Sequence, residues 1–324
     1  MRAAADERGS IRDSMTIERH AITDHAEWLQ RRRKDVTAST IGALFAVHPY
    51  CTALRLYAEK RGVEFVNDEN MAMRRGRWLE PAVAKAVGDK RPEWALEVPK
   101  VYLREPAFRI GATPDFYING DPRGLGVLQA KTVAPSVFHS QWDEGREVPL
   151  WITLQCLTEM MLSDAAFGAV AVLLVDPHQM DCYIHEIPRN QQAEGKIVRA
   201  VEEFWRMVET GQEPEPDYGR DAEVIKAMLP QETAGKQFDA SGHNELPALL
   251  DQRAHLMERI KADDARKEAI ETEIKFLMQD AEIIAGLPGW RITFKSTDRA
   301  GFTVPPKTIR SLRITDKRKP EEVA

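Results

Sequence analysis

The chain has 324 residues, 43% of them hydrophobic, which is enough for one large domain with an appendage or two modest ones. Lys and Arg number 45 against 51 Asp and Glu, and the resulting formal charge of −6, taken as an average, argues against a polyanionic partner. Three cysteines, Cys51, Cys156 and Cys182, are too few and too scattered for a disulfide framework and point to a reducing, cytoplasmic compartment.

The stretch from Met1 to Ser14 mixes Arg with Asp and Glu and has no apolar core, so no signal peptide is expected. From Asp24 to Lys34 the pattern is helical. Thr37-Ala-Ser-Thr-Ile then supplies N-cap side chains for a second helix through Leu44 and Phe45. Asn70 to Val87 reads as a long helix interrupted by Pro81. Between Trp94 and Lys131 short strand-like runs, punctuated by Pro, Gly and Asn-Gly-Asp, predict an antiparallel meander. Helices follow near Ser136 to Asp143 and Pro149 to Leu162, then strands at Gly168 to Val175 and Cys182 to Ile187, then a helix at Gln191 to Glu209. This order predicts an α/β (α+β) fold with a mixed central sheet flanked by helices over residues 15–210. The longest apolar stretch, Ala165 to Val175, falls short of the ~20 residues that span a bilayer, so a soluble protein with no membrane partner is expected.

Residues 211–245 are rich in Pro, Gly and acids and read as a linker with a short helix around Ala222 to Met228. Over 246–324 apolar residues recur at helical spacing from Leu249 to Ala281, giving one long exposed helix or a helical hairpin with a narrow, coiled-coil-like seam. A small strand, Trp290 to Lys295, leads into a basic tail. This arm is expected to serve oligomerisation, DNA clamping or docking of a partner.

The charge is segregated by region. Residues 15–131 carry 19 basic and 15 acidic side chains, residues 132–250 carry 8 and 20, and residues 289–319 carry 9 and 2. Two positive regions around an acidic middle allow a polyanion to be gripped locally, because attraction is felt within about a Debye length.

The chemistry concentrates between Gly76 and Lys131. Gly111-Ala-Thr-Pro-Asp115 places a carboxylate just after a turn, and Leu128-Gln-Ala-Lys131 puts Gln129 and Lys131 on one face of a strand. Gly76-Arg-Trp-Leu-Glu80 adds a second carboxylate on a helix. Two carboxylates, another side-chain oxygen and a lysine are the parts of an oxygen-rich Mg²⁺ site that orients water against a phosphate. His178-x-x-x-Cys182-x-x-His185 lacks a fourth ligand at zinc spacing, and three cysteines are one short of an iron–sulfur set. Gly235-Lys236 lacks the rest of a phosphate loop, and Gly-x-Ser-x-Gly is absent.

These residues resemble the PD-(D/E)xK nuclease superfamily, and within it the phage lambda exonuclease or YqaJ-type viral recombinase family. Arg32 with Thr37-Ala-Ser39, Gly76-x-x-x-Glu80, Thr113-Pro-Asp115 and Gln155 share in the likeness, which covers roughly residues 24–210. The resemblance implies a restriction-endonuclease-like fold and Mg²⁺-dependent (or Mn²⁺-dependent) 5′-to-3′ resection of double-stranded DNA ends. It also implies a homo-oligomer, a trimer in the best-known member, and a single-strand annealing protein as partner. Carried onto this chain, it makes Glu80, Asp115 and Gln129 metal ligands with the Ala130 carbonyl assisting, and has Lys131 serve the water. Arg32, Ser39 and Thr113 would receive the terminal 5′-phosphate, with Gln155 buttressing the site or touching DNA. The family usually has Glu where this chain has Gln129, whereas Mrr-type relatives carry a similar Gln-x-Lys. Weaker metal binding is therefore expected, and Gln129→Glu is expected to match or exceed wild-type activity at low Mg²⁺. The alternatives are a catalytically weak or inactive scaffold that binds DNA ends, and a structure-specific or nicking endonuclease.

Overall fold

The computed structural model describes residues 15–65, 71–143, 146–176, 180–298 and 310–315. His178 and most of the basic tail lie outside these residues. The chain divides into two compact units, Met1–Pro230 and Gln231–Ala324.

In the first unit β1 (Glu18–Ala21) and helix α1 (His25–Arg33) precede β2 (Val36–Thr37). Asp24 caps α1 by accepting from the Glu27 N–H at 2.9 Å. Lys60, at the end of α2 (Ala53–Lys60), closes its far end by donating Nζ to the carbonyls of Arg32, Arg33 and Asp35. The segment expected as a second helix is a helix of the 3₁₀ type, Ala38–Phe45. At its start Thr40 Oγ1 accepts the Thr37 N–H and also donates to the Thr37 carbonyl, which draws the opening turn together. Helix α3 (Met71–Lys90) runs through Pro81 without breaking.

The expected meander is divided between two sheets. β4 (Val101–Glu105) and β5 (Ile110–Ala112) belong to a four-stranded sheet ordered β1-β4-β5-β2. β3 (Ala95–Glu97), β6 (Phe116–Asn119) and β7 (Gly126–Val133) join β8 (Phe167–Val175) and β9 (Met180–Pro188) in a five-stranded sheet ordered β3-β6-β7-β8-β9. β7 pairs antiparallel with β6 and parallel with β8 from Gly126↔Phe167 to Val133↔Leu174, so this sheet is mixed. Between β7 and β8 the chain forms α4 (Pro135–Gln141) and α5 (Leu150–Ser163), the crossover that a parallel pair requires.

The two faces of the five-stranded sheet bury separate cores. Val83 and Val87 of α3 pack with Leu128, Ala169, Ala171 and Leu173 on one face. Val127, Val170 and Val172 face the other, with α5 and α6 (Gln191–Thr210). Gly168 of β8 lies so close to α5 that a Cβ there would overlap Cys156 Sγ. This contact seats α5 directly against β8, the parallel neighbour of the strand carrying the sequence motif.

The first unit extends past residue 210. Helix α7 (Ala222–Met228) is anchored to the body by buried Val224, by Thr52 Oγ1 donating to Asp221, and by Arg220 donating to the His48 carbonyl at 2.7 Å. Residues 211–228, composed like a linker, thus belong to the folded unit. The second unit holds α8 (Glu245–Met278), a single 34-residue helix exposed along nearly its whole length, and the hairpin β10 (Ile283–Ile284) and β11 (Ile292–Thr293).

Candidate metal and DNA-end site

Strand geometry sets out the site. On β7 the alternation that sends Leu128 toward α3 sends Gln129 and Lys131 to the α5 face, where Gln129 is completely buried. The Ala130 N–H reaches sideways to Asp115, donating to its Oδ2 at 2.9 Å. Asp115 stands immediately before β6, the antiparallel neighbour of β7. Glu80 lies three and seven residues ahead of Val83 and Val87, so the helical face that buries those valines also carries this carboxylate.

Electrostatics tie these groups together. Burial, and then the neighbouring Asp115 charge, push the Glu80 carboxyl up to about 7 against a weaker opposing pull from Lys131. Burial also raises Asp115, while Lys131 and the Ala130 N–H act to lower it. Among the described residues neither carboxylate has a Lys or Arg in salt-bridge contact. Two carboxylates held together without a contacting cation, beside an amide oxygen and a backbone carbonyl, form a hard-oxygen donor set suited to Mg²⁺ or Mn²⁺. The groups that would hold such an ion are Glu80, Asp115, Gln129 and the Ala130 carbonyl. No three His, Cys, Asp or Glu side chains among the described residues lie close enough to form a metal cluster by themselves, so the amide at 129 leaves the set short of an acid.

Lys131 Nζ donates to Gln129 Oε1 at 2.9 Å and to Gln155 Oε1 at 3.4 Å. Gln155 therefore joins the metal-site cluster. One turn further along α5 stands Glu159, missing from the sequence-derived set and almost completely buried. It accepts Gln129 Nε2 at 2.7 Å on Oε2 and Gln155 Nε2 at 3.1 Å on Oε1. Burial and the Asp115 charge push its carboxyl well above the ordinary range, opposed by Gln155, Lys131 and Gln129. Its signal in the sequence is one acid, four residues after Gln155, in an otherwise apolar helix.

Arg32, Ser39 and Thr113 form a second group. Arg32 Nη2 donates to Ser39 Oγ at 2.8 Å, and its guanidinium lies 4.5 Å from the Trp28 ring centroid. Trp28 Nε1 in turn donates to Thr113 Oγ1 at 3.0 Å. One tryptophan thus joins the three residues expected to take a terminal phosphate. Thr113 is two residues from Asp115, which sets the group beside the carboxylates. On β9, Cys182 and His185 point to opposite faces, Cys182 into the α3-side core and His185 toward Trp142, so they do not converge as metal ligands.

The two-sheet α/β arrangement, with carboxylates on α3 and before β6 and a Gln-Ala-Lys strand beside them, is of the restriction-endonuclease-like type. Residues 27–166 match the YqaJ-like viral recombinase domain family. Among solved structures, an alkaline exonuclease (LHK-Exo) from Laribacter hongkongensis is 19% identical over 63% of this chain and 98% of its own, with a TM-score of 0.43. LHK-Exo in complex with dAMP gives 18%, 63%, 98% and 0.47. A phage related exonuclease from Haemophilus somnus 129PT gives 15%, 55%, 96% and 0.40. No curated protein matches the chain. No helix among the described residues is long and apolar enough to cross a membrane.

Proposed function

We propose that the first unit is a metal-dependent deoxyribonuclease, a 5′-to-3′ exonuclease that resects double-stranded DNA ends for phage-type recombination. The observation carrying this reading is the convergence of Glu80, Asp115, Gln129 and Lys131 around one end of β7, next to the Arg32–Trp28–Thr113 group. A bound Mg²⁺ or Mn²⁺ supplies charge neutralisation at the scissile phosphate. Asp115 and Glu80 hold the ion, and Lys131, oriented by two glutamine carbonyls, positions the attacking water and offsets charge developing on the phosphate. Arg32, with Ser39 and Thr113, receives the 5′-phosphate and so sets the distance from the strand end to the cut. A single-strand annealing protein as partner and assembly into a homo-oligomer, a trimer in the best-known family member, belong to the same proposal.

The test is release of acid-soluble nucleotides from linear 5′-phosphorylated duplex in Mg²⁺ and in Mn²⁺, with covalently closed circular DNA alongside. Digestion of the linear substrate alone, abolished by Lys131→Ala, supports the exonuclease. Cleavage of the circle indicates a nicking or structure-specific endonuclease. The amide at position 129 favours a second reading, a DNA-end-binding scaffold of weak or no activity. Salt-sensitive duplex binding, with wild type and Lys131→Ala equally inert, would establish that one instead.

A further inference from the structure

We propose that Glu159 is the positioning residue of the metal site, holding the Gln129 and Gln155 amides with both carbonyl oxygens turned toward Lys131. The inference rests on the metal-dependent reading above and deepens it.

Counting donors and acceptors carries the assignment. Lys131 has only donors to offer, so each glutamine it touches must present Oε1 to it. Each glutamine then has its NH₂ left, and both NH₂ groups meet Glu159, one on each carboxylate oxygen. Each oxygen of the Glu159 side chain thus serves as acceptor for one amide. Gln129 is completely buried and Glu159 almost so, and unpaired polar groups there are costly, so the arrangement leaves the amides no other orientation. Glu159 thereby does in one residue what a strand carboxylate would do directly. It keeps an oxygen of residue 129 aimed into the site.

The same count makes a demand on substitutions. In Glu159→Gln the new side chain has one acceptor for two NH₂ groups, so one of the glutamines must turn its carbonyl away from Lys131. In the exchanged protein, Gln129→Glu with Glu159→Gln, every group is satisfied again. Lys131 donates to Glu at 129, the amide at 159 donates to that Glu, and Gln155 donates to the carbonyl at 159.

The experiment is calorimetric titration of the intact protein with MgCl₂ and with MnCl₂, with a thermal melt of each variant. Glu159→Gln is expected to bind the metal about 10–100-fold more weakly, the usual effect of removing a group that orients a ligand. The exchanged protein is expected to recover to within about threefold of wild type. A Glu159→Gln protein that binds like wild type overturns the inference. So does an exchanged protein that fails to fold, or that folds and binds no better than Glu159→Gln. Wild type that binds neither ion overturns the metal-dependent reading itself, and this inference with it.

Discussion

Two places in the first unit bury acids, and the fold treats them in opposite ways. At the four-stranded sheet, Asp35 is completely buried, yet Arg104 Nε reaches both its oxygens at 2.9 and 3.0 Å and the Tyr102 hydroxyl donates at 2.9 Å. Burial and the Asp35 charge hold Tyr102 well above the ordinary phenol range, so it remains a donor. At the five-stranded sheet, the Asp115 charge raises the proton affinity of Glu80 and Glu159, and Lys131 opposes the rise at all three acids without an ion-pair contact to any of them. On the proposed reading, the difference separates a structural acid from a functional one. A fully compensated carboxylate fixes the fold, whereas under-compensated carboxylates keep the capacity to take a cation and a phosphate.

The largest expected effect falls on the under-compensated side. Lys131→Ala should reduce Mg²⁺-dependent nucleotide release by about 10³-fold, the scale of losing a positioned proton-transfer and charge-stabilising group. Its melting temperature should stay within a few degrees of wild type. Activity within tenfold of wild type would sink the role given to Lys131.

The compensated side should respond in stability alone. Asp35→Asn leaves Arg104 without its charge partner at a buried position and should cost about 2–3 kcal/mol, or about 5–10 °C in melting temperature for a unit of this size. Mg²⁺ affinity should be unchanged. A variant that melts like wild type, or that loses metal affinity in proportion to stability, would erase the contrast between the two places.

Gln129→Glu tests the boundary of the comparison. From sequence alone, restoring the family's acid is expected to help at low Mg²⁺. In the structure the new carboxylate would face Glu159 across a contact of 2.7 Å, where two ionised carboxylates repel and one must keep a proton. The single variant should therefore lose about 1–2 kcal/mol of stability between pH 6 and pH 9 in the absence of metal. The exchanged protein with Gln at 159 should melt alike at both. Parallel melting curves for the two proteins would remove Glu159 from contact with residue 129.

What the sequence made legible follows from how local each feature is. Gln129 and Lys131 declare themselves because a strand's period of two puts them on one face, whatever the tertiary partners. Glu80 and Asp115 are marked by their flanking Gly-x-x-x-Glu and Thr-Pro-Asp patterns. Sheet membership is not local. The runs at Val101–Glu105 and Phe116–Asn119 have the same texture, and only packing sends one to each sheet. Residues 217–228 carry linker composition, but Asp221 and Val224 find buried partners far back in the chain. Glu159 has little local signal because α5 is apolar nearly throughout, and its face against the sheet is set by the close approach at Gly168 of β8. A lone acid in such a helix is itself the clue, since acids are seldom fully buried without partners.

The smallest expected effect is also the most direct measure of under-compensation. Glu80 titrates near 7 in the folded protein against an ordinary 4.5, so the folded state holds a proton that the unfolded chain has released. Between those two values stability must fall as pH rises, and above about 7 the full penalty remains. Glu80→Gln removes the penalty. In the absence of metal the variant should be as stable as wild type near pH 4.5 and more stable at pH 8, by about 1 kcal/mol after allowing for solvent screening of a half-buried group, or about 2–4 °C. Saturating Mg²⁺ should reverse the ranking, because wild type gains binding energy at pH 8 that the amide variant largely forgoes. A metal-free Glu80→Gln protein less stable than wild type at pH 8 would mean that Glu80 is compensated in the same way as Asp35, and the carboxylate pair would lose its standing as a cation site.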